Sequence, residues 1–318
     1  MQFSTLVAIP RPLRPVSLSD KNVFLGSCFA EHVGGRFADS RLAVLSNPLG
    51  VMYNPLSIVR LLTTREADPA RDFVQYKDMW HTWLGDTSLS CLRADECRQT
   101  TNRALAQLHQ ALAHADNLFL TFGTSRYYIY QETYEVVANC HRLPGVEFEE
   151  HDLSVSEIVD CLESALLPLF EQNPRLQVIV TVSPYRYLKY GLHESQLAKA
   201  RLLLAAHELQ ERHADRVTYF PAYEIVMDEL RDYRFYADDM LHPSPQAIDY
   251  VWQRFCETWT GDDVCTFLSR WEPLRRALSH KPLHPESPEF IAFRQRTHEQ
   301  LQQLQHDYPM LSLSCNSL

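Results

Sequence analysis

Three short apolar runs constrain this chain more than anything else in it: NVFLGS (22–27), NLFLTFG (117–123) and LQVIVTVSP (176–184). Each is nearly unbroken by polar residues and closes on Gly, Ser or Pro. Runs of this length bounded by turn residues read as strands buried on both faces. A fourth, VTYFPAY (217–223), is weaker. Helical periodicity fills the intervals: 28–39, 95–115 (Leu105, Leu108, Leu112), 154–171 (Val155, Ile158, Val159, Leu162, Leu166, Leu169) and 195–213 (Leu197, Leu202, Leu203, Leu209). Strand–helix alternation on this scale predicts an α/β fold with a mainly parallel sheet covered by helices on both faces.

Two aromatic stretches interrupt the alternation, 72–92 and 127–137, and read as hairpins or lids. A helix is expected over 246–259, and the tail from 260 onward is helical. Its PEFIAFRQRTHEQLQQLQ segment sets Phe290, Phe293 (or Ile291), Leu301 and Leu304 on one side. We read that face as a cap on the core, with a homodimer contact as the alternative. The organisation expected is one domain over 1–260 with a helical C-terminal extension over 261–318.

Composition narrows the function classes. A formal charge of −10 argues against nucleic acid as a partner, because that affinity rests on Lys and Arg neutralising phosphates. Eight cysteines (28, 91, 97, 140, 161, 256, 265 and 315) form no Cys-x-x-Cys pair, which points to a reducing compartment and away from a zinc ribbon. No apolar run approaches the roughly 18 residues of a membrane-spanning helix, and the first twenty residues lack the pattern of a signal peptide. The expectation is a cytoplasmic protein with no membrane insertion. His193-Glu194 and His207-Glu208 lack the second histidine of a zinc helix, and no glycine-rich phosphate loop occurs, so neither metal nor cofactor is implied.

In a parallel sheet, ligands bind beyond the carboxyl ends of the strands, where helix N-termini present free N–H groups. Gly26, Gly50 and Gly123, three of only nine glycines, fall at or just past predicted strand ends. Ser27 and Cys28 lie at the first such end. A late Asp-x-x-His pair, Asp239 and His242, has the form in which a carboxylate fixes an imidazole that takes a nucleophile's proton. Asp78 and His81 form a second such pair in an aromatic stretch, so spacing alone does not choose between them. Arg186, in SPYRY after the third run, is a candidate ligand for an anionic substrate group. Trp80 and His81 are lesser candidates for a pocket wall, and His193 for a residue reaching the site from the loop before the next helix.

The blocks GSCFAEHVG, NPLGVMYNP (47–55), LTFGTSRYY (120–128), TVSPYRYLKYG with LAKARLLL (181–204) and DDMLHPS (238–244) together resemble the GSCFA-domain family of bacterial proteins, similar to the SGNH (GDSL-type) hydrolases. The resemblance spans about residues 20–258. It implies a flavodoxin-like three-layer α/β/α sandwich and acyl chemistry, as an esterase or acyltransferase on a small-molecule or glycan ester. Carried over, Gly50 matches the second block, Gly123 and Ser125 the third, where Ser125 replaces the usual asparagine, and Asp239 and His242 the last. The offset puts Cys28 at the nucleophile position and Ser27 at the aspartate. Ser27 is the nucleophile if the elbow is shifted by one residue. A thiol opening a helix is expected to have a lowered pKa. Backbone N–H groups at the nucleophile and at Gly50, with Ser125, would hold an oxyanion. The alternative is a non-catalytic binding protein that retains the fold and pocket.

Overall fold

The computed structural model describes residues 5–311; Cys315 lies outside them, and the seven other cysteines are all free thiols. The chain runs β1 (Asn22–Gly26), α1 (Cys28–Asp39), β2 (Val44–Ser46), α2 (Pro55–Thr63), a hairpin of β3 (Phe73–Tyr76) and β4 (Met79–Thr82), then α3 (Ala94–Leu112) and β5 (Asn117–Phe122). It continues with β6 (Arg126–Tyr130), β7 (Glu135–Val137) and β8 (Phe148–Asp152), which form a separate antiparallel sheet. After α4 (Val155–Gln172), β9 (Gln177–Val182), α5 (Leu192–Arg212) and β10 (Val217–Tyr219), a single turn α6 (Ala222–Glu224) runs into π-helical Ile225–Leu230. Three helices close the chain: α7 (Pro245–Trp259), α8 (Asp262–Leu278) and α9 (Pro288–Asp307).

The main sheet has the order β10-β9-β5-β1-β2 and every pair in it is parallel. Strand alternation divides its side chains between two cores. Val23, Leu25, Leu118, Leu120, Val178 and Val180 meet α2, α3, α4 and α5 through Ile58, Leu105, Ile158 and Leu202. Phe24, Phe119 and Ile179 face the other way, onto α1, α7 and α8, through Phe37, Phe255 and Trp271. This is the expected three-layer α/β/α sandwich. Phe24 stacks on Phe119 with ring centres 4.1 Å apart, and Phe37 closes edge-on at 4.9 Å. That aromatic knot fixes α1, and hence Cys28 at its first position, over the carboxyl end of β1.

The predicted interruptions are the β3–β4 hairpin and the β6–β7–β8 sheet, which share a small core around Trp83, Tyr130 and Phe148. The tail packs onto the domain. Val264, Phe267, Trp271 and Leu274 of α8 and Leu301 and Leu304 of α9 join the second core, and Trp271 Nε1 donates to Asp39 O at 2.7 Å. Of the tail side chains expected on one face, Ile291 is instead exposed. Among the described residues no helix is long and apolar enough to cross a membrane.

Candidate active site

The first strand ends in a constrained elbow. Gly26 has φ +141°, and a Cβ there would lie 2.2 Å from Thr121 O on β5, so only glycine lets β1 run this close to its neighbour. Ser27 N–H donates to the same Thr121 O at 3.1 Å, and Met52 N–H donates to Gly26 O at 2.8 Å. The elbow thereby turns Ser27 inward. Its hydroxyl is buried and has no hydrogen-bond partner among the described residues. Cys28 is half-buried, and the N–H groups of Phe29 and of Cys28 itself face its sulfur.

The expected lowering of the thiol pKa is not found. Burial pushes the Cys28 thiol up and Glu31, on the same helix, adds to the rise, while the Phe29 N–H and Lys199 pull the other way. Burial outweighs the helix end because the sulfur loses bulk water while gaining only a few partial charges.

The other half of the site hangs on the loop after the π-helical segment. Asp239 Oδ2 meets His242 Nδ1 at 2.5 Å, and Asp239 Oδ1 accepts from the N–H groups of Leu241 and His242 at 2.9 and 3.0 Å. These bonds, led by the one from the imidazole, hold the Asp239 carboxyl below its usual range, at about 2. With Nδ1–H directed at the carboxylate, Nε2 carries the lone pair and is the nitrogen left to act as base. Met240 takes a left-handed φ of 58° to close the loop. Arg186 ties the loop down: its N–H donates to Leu241 O and its Nη1 to Met240 O, both at 3.0 Å, and its guanidinium lies over Tyr233 and Tyr236. The Asp78–His81 pair is not equivalent, because His81 Nδ1 meets Ser90 Oγ at 2.7 Å and its ring stacks on His141.

Tyr185 packs beside the histidine. Its ring centre is 4.5 Å from that of His242. Burial, then the charges of Cys28 and Asp239, push its hydroxyl pKa up. The Tyr53 hydroxyl is also pushed up, by burial first and then by the charge of Cys28. A cavity of about 220 Å³ opens beside it, walled by Tyr53, Tyr128, Tyr187 and Tyr190 with Arg126 and Lys189.

Three expected oxyanion donors are committed elsewhere. Gly50 N–H donates to Asn47 O at 2.8 Å, and its φ of +86° serves to seat the Asp86 carboxylate where a Cβ would be. Gly123 N–H donates to Tyr53 O at 2.7 Å. The fully buried Ser125 gives its hydroxyl to Asp152, which also holds Arg201. The expected anion ligand, Arg186, gives one guanidinium N–H to the Met240 carbonyl and borders a second cavity of about 210 Å³. Sequence reasoning missed Tyr53, Tyr185 and Lys199. Lys199 had a legible signal, a cation on the buried stripe Ser195, Ala198, Leu202 and Ala206 of α5.

These features define a parallel-sheet α/β protein with its candidate chemistry gathered at the carboxyl edge of the sheet. The chain belongs to the GSCFA family, whose model matches residues 21–255; a second model, described as the C-terminal domain of GSCFA domain proteins, matches residues 271–315. Similar solved structures include a putative platelet activating factor from Streptococcus pneumonia (12% identity, TM-score 0.38, covering 76% of this chain and 84% of that one). Another is the acetyl xylan esterase Est2A from the rumen bacterium Butyrivibrio proteoclasticus (13% identity, TM-score 0.37, covering 81% and 66%). No curated protein matches the chain.

Proposed function

We propose that this protein is an SGNH-type esterase or acyltransferase that works through an acyl-enzyme on Cys28. The observation that supports this reading is the Asp239–His242 pair, whose imidazole is held by the carboxylate with the Tyr185 ring packed beside it. Cys28 is chosen over Ser27 because the Ser27 hydroxyl is sealed inside the elbow.

In the proposed reaction His242 Nε2 takes the thiol proton as Cys28 sulfur bonds the ester carbonyl carbon. The tetrahedral oxyanion lies against the free N–H groups of the first turn of α1. The carbon–oxygen bond then breaks, and His242 returns the proton to the leaving alcohol. Water, or a second hydroxyl in a transferase, gives up a proton to His242, attacks the thioester and releases Cys28. The tyrosine-walled cavity offers aromatic faces and polar edges to a small ester or an acylated glycan. The acidic chain carries its chemistry in the cytoplasm, without a cofactor.

The test is labelling with peptide mapping, using iodoacetamide and a fluorophosphonate on wild type and His242→Ala. Cys28 alkylation that slows at least about tenfold in the variant at neutral pH is expected, in line with the loss of a general base. Phosphonylation of Ser27 with the same dependence moves the nucleophile to serine. A second reading, a binding protein without turnover, is favoured by the occupied N–H groups of Gly50 and Gly123 and the occupied Ser125 hydroxyl. Background reactivity at both residues would establish it.

A further inference from the structure

The cavity beside Tyr53, of about 220 Å³, is set apart by what lines it. The chain carries 40 acidic side chains against 30 Lys and Arg, yet no Asp or Glu lines this cavity, while Arg126 and Lys189 do. The Arg126 charge is spent: its terminal nitrogens pair with Glu150 at 2.8 Å and with Glu194 at 2.6 Å. The Lys189 charge is not. Its Nζ donates to Tyr128 Oη at 2.5 Å and lies over the Tyr128 and Tyr190 rings, 4.8 and 4.9 Å from their centres. Among the described residues it has no ion pair.

Two amides add to the polar wall. Asn54 is 5% exposed and caps α2, its Oδ1 accepting the Ser57 N–H at 2.9 Å. Asn139 Oδ1 accepts the His141 N–H at 2.8 Å. A backbone N–H can bond only the oxygen end of an amide, so each asparagine is held with its NH2 group as the end left over. Among the described residues neither nitrogen has an acceptor. The cavity therefore offers one ammonium and two amide NH2 groups, donors in each case. Its aromatic wall has the Tyr187 and Tyr190 rings at 5° to one another, centres 5.8 Å apart. Tyr187 meets Tyr185 edge-on at 5.6 Å, and Tyr185 meets His242 at 4.5 Å, so a row of rings leads from the cavity to the imidazole.

We propose that this cavity is a subsite for a sugar ring bearing a carboxylate, a uronate, with Lys189 and the amides of Asn54 and Asn139 as ligands for its oxygens and with Tyr187 and Tyr190 as the stacking surface. This rests on the reading of the adjoining site as that of an esterase or acyltransferase. A carboxylate only accepts hydrogen bonds, which matches a wall of donors, and its single negative charge matches one unspent ammonium. The C–H face of a pyranose packs on aromatic rings while its hydroxyls reach polar groups at the edge. A neutral sugar uses the rings and leaves Lys189 without a counter-charge; acetate uses the lysine and leaves the rings bare. The acidic sugar satisfies both.

The experiment is calorimetric titration of the full chain at low ionic strength with glucuronate, glucose, acetate and glucose 6-phosphate. Glucuronate is expected to bind with a Kd of about 1 mM, at least about tenfold more tightly than glucose or acetate, an advantage that shrinks in salt. Two substitutions locate the site. Lys189→Gln removes an exposed charge, and Asn54→Asp keeps the helix cap while putting a negative charge in place of the donor. Each is expected to weaken glucuronate at least about tenfold and to leave glucose within about twofold. Glucose or acetate binding as tightly as glucuronate overturns the proposal, and so does glucuronate binding that is unchanged in the folded variants. Glucose 6-phosphate binding as tightly or more tightly gives the cavity to a phosphate and overturns the carboxylate assignment. Binding is read without turnover. A wild-type Cys28 that never labels thus overturns the acyl-enzyme reading and leaves the subsite standing, and absent glucuronate binding does the reverse.

Discussion

Ser125 shows how a side chain can occupy a motif position and do something other than the motif suggests. Its hydroxyl is given to Asp152, which anchors Arg201 of α5 to the carboxyl end of β8. Ser125→Ala is therefore expected to cost about 1 kcal/mol of stability by removing one donor from half-buried Asp152, which keeps Arg201. Its turnover should fall far less than the roughly 10²–10³ that follows loss of an oxyanion donor. Urea unfolding read beside acyl transfer separates the two, and a 10³ loss of turnover at unchanged stability would restore Ser125 to the oxyanion site. Gly26 is the opposite case, where the residue type itself is the constraint. A methyl group at Gly26 meets a backbone carbonyl that has nowhere to move, so Gly26→Ala is expected to abolish Cys28 labelling. The residues proposed to carry the chemistry, Cys28, Asp239 and His242, were legible as candidates because their types and order are distinctive. The hydrogen bonds that engage the Gly50 and Gly123 N–H groups and the Ser125 hydroxyl were not, since most of them join segments brought together only by the fold.

Elements differ in how plainly they announce themselves. The strands buried on both faces, β1, β5 and β9, have all their residues buried, and an unbroken apolar run is the direct trace of that. β2 has three residues, all half-buried, too few for any period to show. β8 reads FEEHD, and its middle residues face solvent on an edge, so it looks like a charged turn. The β6–β7–β8 insertion carries its own pH response. His141 packs between His81 and Trp83, its Nε2 meets Thr82 O at 2.8 Å, and burial pulls its pKa down to about 4. In the unfolded chain the same group titrates near 6.5. Between those values the unfolded state binds more protons, so stability falls as pH drops from about 6.5 towards 4 and is fully present above that window. The loss expected from this group is about 3 kcal/mol. His141→Gln should be less stable at pH 7 and should flatten that slope in urea titrations. An unchanged slope would show that His141 stays neutral in the unfolded state or charges freely in the native one.

On the scale of the whole molecule the tail is part of the core. α8 contributes four fully or nearly fully buried side chains, Val264, Phe267, Trp271 and Leu274, to the face of the sheet that carries α1, while α9 contributes mainly Leu301 and Leu304. Removing residues 280–318 is therefore expected to leave a folded protein that still labels at Cys28, and removing 261–318 to leave one that does not fold. Trp271→Ala alone is expected to cost about 3–5 kcal/mol. If the shorter chain ending at 260 folds and labels normally, the division placed there by sequence reading is a true domain boundary.

The strand order also sets a timetable. β1 has β2 on one side and β5 on the other, and β5 begins 95 residues after β1 begins, from Asn22 to Asn117. At about 5–20 residues per second of synthesis, β1 waits roughly 5–20 seconds with its β5 edge unpaired. His242, the base proposed for Cys28, leaves the ribosome later still. On the proposed reading the Cys28 thiol is thus made early and lacks its base until nearly the whole sheet has closed, so His242-dependent labelling of Cys28 is expected to double as a clock for the last long-range step of folding.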